Sequence, residues 1–289
     1  MDTAELIKKV RRIEIKTKGL SKQIFSGEYQ SAFKGRGMSF SEVRGYHYGD
    51  DVRNIDWNVT ARTGEPHIKT FEEERELTVM LLVDISRSSF FGTVSQMKNE
   101  LITEICAVLA FSATTNNDKV GLLLFSDRIE KFIPPKKGKS HILRIIRELL
   151  ETEPEGKGTD LGVALDYFNN MVKKRSICFL LSDFLTTGYE RPLAVAARRH
   201  DLIGMHLYDP RERELPDMGL VYAHDAESGK HSWLDTGSKR IRRHYAERYA
   251  EQQEYFRNAF RKSRADVMSI ETTDDYVREM RRFFESRSR

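Results

Sequence analysis

From residue 77 onward the chain alternates short apolar runs with amphipathic stretches, and that alternation admits few architectures. Residues 78–84, 119–125, 176–183, 201–208 and 266–271 are each about one strand long and almost continuously apolar, as strands buried on both faces must be. Helical periodicity covers about 95–115, 139–151, 160–173, 190–199, 239–262 and 274–286. Strands joined through such helices make right-handed crossovers, so the pattern predicts an α/β domain with a mostly parallel sheet and helices on both faces. Two segments depart from it. Residues 129–134 follow the turn Ser126-Asp127-Arg128 and end in Pro134-Pro135, which predicts an antiparallel edge strand. Residues 215–237 place Gly219-Leu220-Val221-Tyr222-Ala223 and His231-Ser232-Trp233-Leu234 on either side of Glu227-Ser228-Gly229-Lys230, which predicts an inserted β-hairpin.

The first core strand runs directly into Asp84-Ile85-Ser86-Arg87-Ser88. A carboxylate and two hydroxyls at alternate positions, where a buried strand ends, can converge on one point as the chain turns. Small divalent cations take hard oxygen ligands and keep several waters, so a site with few carboxylates leaves room for an outside ligand. The same pattern also serves as a helix cap. Two more segments add oxygens of the same kind: Thr159 opens the helical pattern at 160–173, and Asp183 ends the strand at 176–183.

In order and context, Asp84, Ser86, Ser88, Thr159 and Asp183 resemble every position of the metal-ion-dependent adhesion site of von Willebrand factor A domains. The resemblance implies a doubly wound sheet of strand order 3-2-1-4-5-6. The strands ending at Asp84 and Asp183 would then lie side by side where the order reverses, which is where open parallel sheets bind ligands. It implies one Mg2+ (or Mn2+), with Asp84 and Asp183 supplying charge, the three hydroxyls completing the shell, and water in the sixth position until a partner's Asp or Glu replaces it.

Residues 1–76 read differently. After a short helix at about 3–12 they are rich in Gly, Arg, Asp and aromatics and hold no long apolar run. Asp50, Asp51, Asp56, Glu72-Glu73-Glu74 and Glu76 could be read as a two-metal nuclease centre. The better account is structural: Arg36, Arg44, Arg53 and Arg62 are interleaved with those carboxylates and can order the region through bidentate pairs, with Trp57 as its core anchor. The expected division is 1–76, packed on the main domain, and 77–289, carrying the hairpin insertion. Ser26-Gly27-Glu28-Tyr29-Gln30-Ser31-Ala32-Phe33-Lys34-Gly35-Arg36-Gly37, Glu42-Val43-Arg44 and the segment from Tyr48 to Arg62 resemble the DUF58 family. His200-Asp201 and Asp225-Ala226-Glu227-Ser228-Gly229 are similar to its later segments. That family joins such a region to a von Willebrand A-like domain, often beside a MoxR-type AAA+ ATPase, and so implies that partner, a client protein, or both.

Composition narrows the function classes. With 48 Lys and Arg against 44 Asp and Glu, the net charge of +4 is too small to imply nucleic acid, although 238–264 holds nine basic residues against three Glu. That segment places Ile241, Tyr245, Tyr249, Phe256 and Phe260 on one stripe, which predicts a packed helix with Arg240, Arg243 and Arg257 on its solvated face. No apolar stretch approaches the roughly 20 residues of a membrane span, and 1–19 lacks a signal-peptide core. Cys106 and Cys178 fall in apolar runs as buried thiols, which suits a reducing, cytoplasmic compartment. No His pair has zinc spacing and no Gly-x-Ser-x-Gly elbow occurs. The expectation is a non-enzymatic, metal-dependent interaction module or adaptor for assembly or maturation of other proteins. The alternative is a metal-dependent hydrolase of phosphate esters or nucleic acid.

Overall fold

The computed structural model describes residues 8, 10–14, 16, 17, 19, 20, 38–73, 77–90, 97–224 and 231–288. The chain divides into two compact units: Lys34–Leu77, and Met1–Phe33 together with Thr78–Arg289. The expected boundary at 76 therefore falls one residue from the end of the small unit, whereas Met1–Phe33 groups with the sheet. Described residues from 8 to 20 are helical, so helix runs beyond the expected end at 12. The segments 26–37 and 225–230 lie outside the described residues.

In the small unit, β1 (Met38–Gly45) and β2 (His67–Glu73) pair antiparallel around α1 (Trp57–Thr63). The Asp56 carboxylate accepts hydrogen bonds from the Asn58 and Val59 amides and so fixes the start of α1. Gly64, at φ 78°, ends it in the left-handed conformation that glycine adopts without penalty. Two of the four expected arginines make the pairing: Arg44 grips Asp50 with two bonds of 2.8 Å, and Arg53 pairs with Asp51, while Asp56 meets Lys69 instead and Arg36 lies outside the described residues. Arg44 and the His47 amide hold Asp50 down at about 2. Trp57 is not the anchor. With Asp56 turned inward as the cap, its neighbour Trp57 faces out and is 70% exposed, while Ile68 is the buried apolar residue.

The larger unit is built on β3 (Thr78–Asp84), α2 (Lys98–Thr115), β4 (Lys119–Phe125), β5 (Ile129–Lys136), α3 (Lys139–Glu151), α4 (Leu161–Met171), β6 (Ile177–Ser182), α5 (Glu190–Arg199) and β7 (Asp201–Tyr208). The hairpin β8 (Leu220–His224) and β9 (His231–Asp235) follows, then α6 (Lys239–Ser263), β10 (Asp266–Glu271) and α7 (Tyr276–Ser288). Six strands form one sheet in the order β10-β7-β6-β3-β4-β5, parallel except for the antiparallel edge strand β5. Numbered within that sheet, the order is 3-2-1-4-5-6. It reverses between β3 and β6, so Asp84 and Asp183 emerge from neighbouring strands at the carboxyl edge.

Alternation sorts the side chains by face. Met80, Leu82, Cys178 and Leu180 pack with Phe168 of α4, Leu193 of α5 and Phe256 and Phe260 of α6. On the other face Phe179 meets Phe284 of α7 edge-on at 6.2 Å, and α2 lies against β3 and β4. Each such fully buried side chain contributes about 1.5–3 kcal/mol. Gly204 of β7 lets α6 press flush on the sheet, because a Cβ there would overlap the Phe260 ring. Cys106 and Cys178 are free and buried, as expected.

The amino edge of the sheet is closed by one ion cluster. The Arg287 guanidinium of α7, 5% exposed, donates to both oxygens of Asp201 at 2.7 and 2.9 Å and lies 3.3 Å from Asp266. Beside it His200 is buried against Phe168, ring centres 4.5 Å apart, and neither ring nitrogen has a hydrogen-bond partner. Burial, then the charges of Arg199 and Arg175, push His200 down to about 4.

Candidate metal centre

At the carboxyl edge the chain leaves β3 through Asp84 and turns into a short 3-10 segment, Arg87–Phe90. Asp84 and Ser86 are buried, 1% and 0% exposed. Asp84 Oδ1 accepts the Ser86 amide at 2.9 Å, an Asx-type turn that brings the next hydroxyls back over the strand end. Asp84 Oδ2 accepts Ser182 Oγ from the adjacent β6 at 2.7 Å. The Ser86 hydroxyl reaches Asp84, Ser86 Oγ and Ser88 Oγ are 3.0 Å apart, and the Ser88 hydroxyl reaches Asp183. Four of the five expected residues thus form one continuous chain, Asp84–Ser86–Ser88–Asp183, across the switch point.

The fifth, Thr159, is placed by its backbone. Its carbonyl accepts the Thr186 hydroxyl at 3.2 Å, just beyond Asp183, and the following Asp160 amide donates to Ser126 O at 2.9 Å. The turn after β4 holds the rest of this loop: Glu130 accepts the Gly156 amide at 2.9 Å and Asp127 accepts the Lys157 amide at 3.3 Å. Burial would raise both carboxyls. The amides they accept, with Arg128 and Ser126, carry them below their usual range instead.

Charge is unevenly shared. Burial and then the neighbouring Asp183 push the Asp84 carboxyl well up. Asp183 is buried too, yet the Lys98 ammonium at 3.0 Å and the Leu185 amide bring it below the usual range. Lys98 opens α2, is 2% exposed, and also contacts Glu212 Oε1 at 2.5 Å. Burial opposes its charge, but the two carboxylates outweigh burial and raise it. Glu212 is raised chiefly by burial. Its second oxygen accepts the Asp209 amide at 3.0 Å, and Asp209 accepts the Thr272 hydroxyl at 3.1 Å.

These oxygens suit a hard cation. With both carboxylates ionised, the three contacts Asp84–Ser86, Ser86–Ser88 and Ser88–Asp183 share only two hydroxyl protons. One of the three contacts therefore brings oxygen atoms together without a proton between them, an arrangement that a positive ion relieves. Among the described residues no group of three or more His, Cys, Asp or Glu is arranged to hold a metal. The set here has two carboxylates with hydroxyls, which suits an ion that keeps its own waters rather than a closed cage.

Sequence reasoning missed Ser182, Lys98 and Glu212. Ser182 is one residue short of the predicted ligand and reads as strand. The one signal for Glu212 is Asp209-Pro210-Arg211-Glu212, a capping box in which Asp and Glu answer each other across three residues.

A family model described as "Protein of unknown function DUF58" matches residues 42–255. The chain belongs to the DUF58 family. Within that family's reach, an uncharacterized protein of Mycobacterium tuberculosis (Rv1480) is 31% identical over 294 residues, covering 100% of this chain and 92% of that protein. Among solved structures, the conserved hypothetical protein BatB from Bacteroides thetaiotaomicron is similar at a TM-score of 0.48 and 15% identity, over 73% of this chain and 98% of that one. An aerotolerance-related membrane protein from Bacteroides fragilis gives 0.49 and 14%, over 73% and 99%. The VWA domain of SpRpn10 gives 0.37 and 12%, over 71% and 93%. At these TM-scores the likeness is partial, and the von Willebrand A-like fold of this DUF58 protein rests on its own strand order. No helix among the described residues is long and apolar enough to cross a membrane.

Proposed function

We propose that this DUF58 protein is a metal-dependent protein-interaction module in which Asp84, Ser86, Ser88, Thr159 and Asp183 hold one Mg2+ or Mn2+. The carrying observation is the hydrogen-bonded run Asp84–Ser86–Ser88–Asp183 at the switch point, one proton short of satisfying its own oxygens. When bound, the ion supplies an electrophilic point at which a carboxylate from another protein can complete the coordination. The chain's own residues do the rest. Ser182 and the Ser86 amide fix the Asp84 carboxylate, Lys98 and the Leu185 amide fix Asp183, and the Asp127 and Glu130 clamp fixes the loop of Thr159.

The partner is a MoxR-like AAA+ ATPase, or a client that supplies an Asp or Glu, in a pathway of assembly or maturation in the cytoplasm. What supports this is the family resemblance, together with two buried thiols suited to a reducing compartment. Calorimetric titration with MgCl2 tests the site: wild type binds and Asp84→Ala does not. Equal affinities overturn the assignment. Pulldown with and without EDTA tests the module: partners leave with the ion, and a partner set unchanged by EDTA overturns metal-dependent docking.

A further inference from the structure

The oxygen of Asp183 nearest α2 is already engaged. Lys98 Nζ lies 3.0 Å from Asp183 Oδ2 and 2.5 Å from Glu212 Oε1, with its side chain 2% exposed. This buried lysine at the first residue of a helix bridges a candidate metal ligand to a carboxylate outside the ligand set, and the reading above gives it no task beyond holding Asp183. Resting on that reading, we propose that Lys98 is a built-in competitor for the cation, and that Glu212 is the acceptor that draws it away from Asp183.

The reasoning is electrostatic and geometric. An ammonium and a hard divalent ion seek the same feature, an ionised carboxylate oxygen, and two positive charges near one carboxylate repel. Lysine is a point charge on a flexible stem with three donors, so its ammonium can shift between two neighbouring acceptors without moving its helix. Arginine's planar fork could not. Glu212 in turn is anchored: Asp209 donates its amide to Glu212 Oε2 at 3.0 Å, and the Asp209 carboxylate accepts the Arg211 amide at 2.9 Å and the Thr272 hydroxyl at 3.1 Å. Asp183 is likewise held by the Leu185 amide at 3.3 Å. The two carboxylates are fixed and the ammonium between them is the adjustable part. The oxygen set alone would bind a divalent ion more tightly than this protein does, and the Lys98–Glu212 pair sets the difference.

Two variants move the affinity in opposite directions, which a merely structural role would not do. Full-length wild type, Glu212→Gln, the double variant Lys98→Met with Glu212→Gln, and Asp84→Asn are titrated calorimetrically with MgCl2 and then MnCl2, each checked for fold by circular dichroism. The double variant removes both charges and so leaves no uncompensated buried ion. It binds roughly tenfold more tightly than wild type, because Asp183 is released from the ammonium. Glu212→Gln binds several-fold more weakly, because Lys98 keeps only Asp183. A folded double variant with affinity equal to or below wild type overturns the inference, as does Glu212→Gln binding as well as or better than wild type. If the double variant fails to fold, the direction of Glu212→Gln decides alone. Binding by wild type that Asp84→Asn abolishes but neither Lys98–Glu212 variant changes sinks this inference and keeps the metal site. Silence from every protein with both ions sinks the metal site and this inference with it.

Discussion

The two edges of the central sheet both bury charge, and they do so with different chemistry. At the amino edge a single guanidinium nitrogen of Arg287, Nη2, donates to both oxygens of Asp201 at 2.7 and 2.9 Å and also lies 3.3 Å from Asp266. At the carboxyl edge Lys98 meets Asp183 and Glu212 as a point charge, and the Ser88 hydroxyl, paired in turn with Ser86, reaches the same Asp183 carboxylate. The amino-edge cation meets two carboxylates, whereas at the carboxyl edge the Lys98–Asp183 pair is continued by the hydroxyls of Ser88 and Ser86. The difference separates a clasp that only holds the fold from an arrangement that can exchange one cation for another.

The largest test of that contrast removes each cation. Lys98→Ala strands two buried carboxylates and should cost about 3–5 kcal/mol in urea unfolding, whereas Arg287→Ala, whose second partner Asp266 is 34% exposed, should cost less. Equal losses would erase the distinction between the edges. A smaller effect of opposite sign is expected at Asp84. Because burial and Asp183 disfavour its charged form, Asp84→Asn should stabilise the metal-free protein above pH 7 by ~1 kcal/mol while abolishing Mg2+ binding. Loss of stability there would mean that Asp84 is held as a structural ion like Asp201.

The effect at His200, at the amino edge, is confined to acid pH. Its pKa in the folded protein, about 4, lies below the ordinary value of 6.5, so the folded state favours the neutral ring. The stability this contributes is fully present above pH 6.5 and is lost as pH falls toward 4. His200→Phe should flatten the stability profile across that window, read from urea midpoints at successive pH values. An unchanged slope would assign the acid sensitivity to other groups.

Much of the larger unit was legible because its signals are local. Continuous apolar runs bounded by turns located the five parallel strands to within a residue or two, and the carboxylates at strand ends marked the edge that carries the candidate site. What escaped depends on contacts distant in sequence. Lys98 opens an apolar helix and Glu212 sits in the charged run Arg211-Glu212-Arg213-Glu214, so each reads as surface until the fold brings them together. In the small unit, β1 and β2 were hidden because their residues lack a long apolar run, and Trp57 was misread because hydrophobicity alone does not say which way a capped helix turns its first residue.

The 25-residue helix α6 is about 38 Å long at the usual rise per residue, and its fully buried side chains, Gln253, Phe256, Ala259 and Phe260, all lie in its second half. It is a beam clamped at one end. At the outer end Arg242 ties it to Asp217 and to the hairpin through the Thr236 carbonyl. At the clamped end Phe256 stacks 4.3 Å from Phe184, whose backbone, at φ 54°, is left-handed immediately after Asp183, and Tyr255 accepts the Gly188 amide at 2.7 Å. The helix that braces one face of the sheet thus also packs on the residue that follows Asp183, so the seating of α6 and the seating of that carboxylate share one aromatic contact.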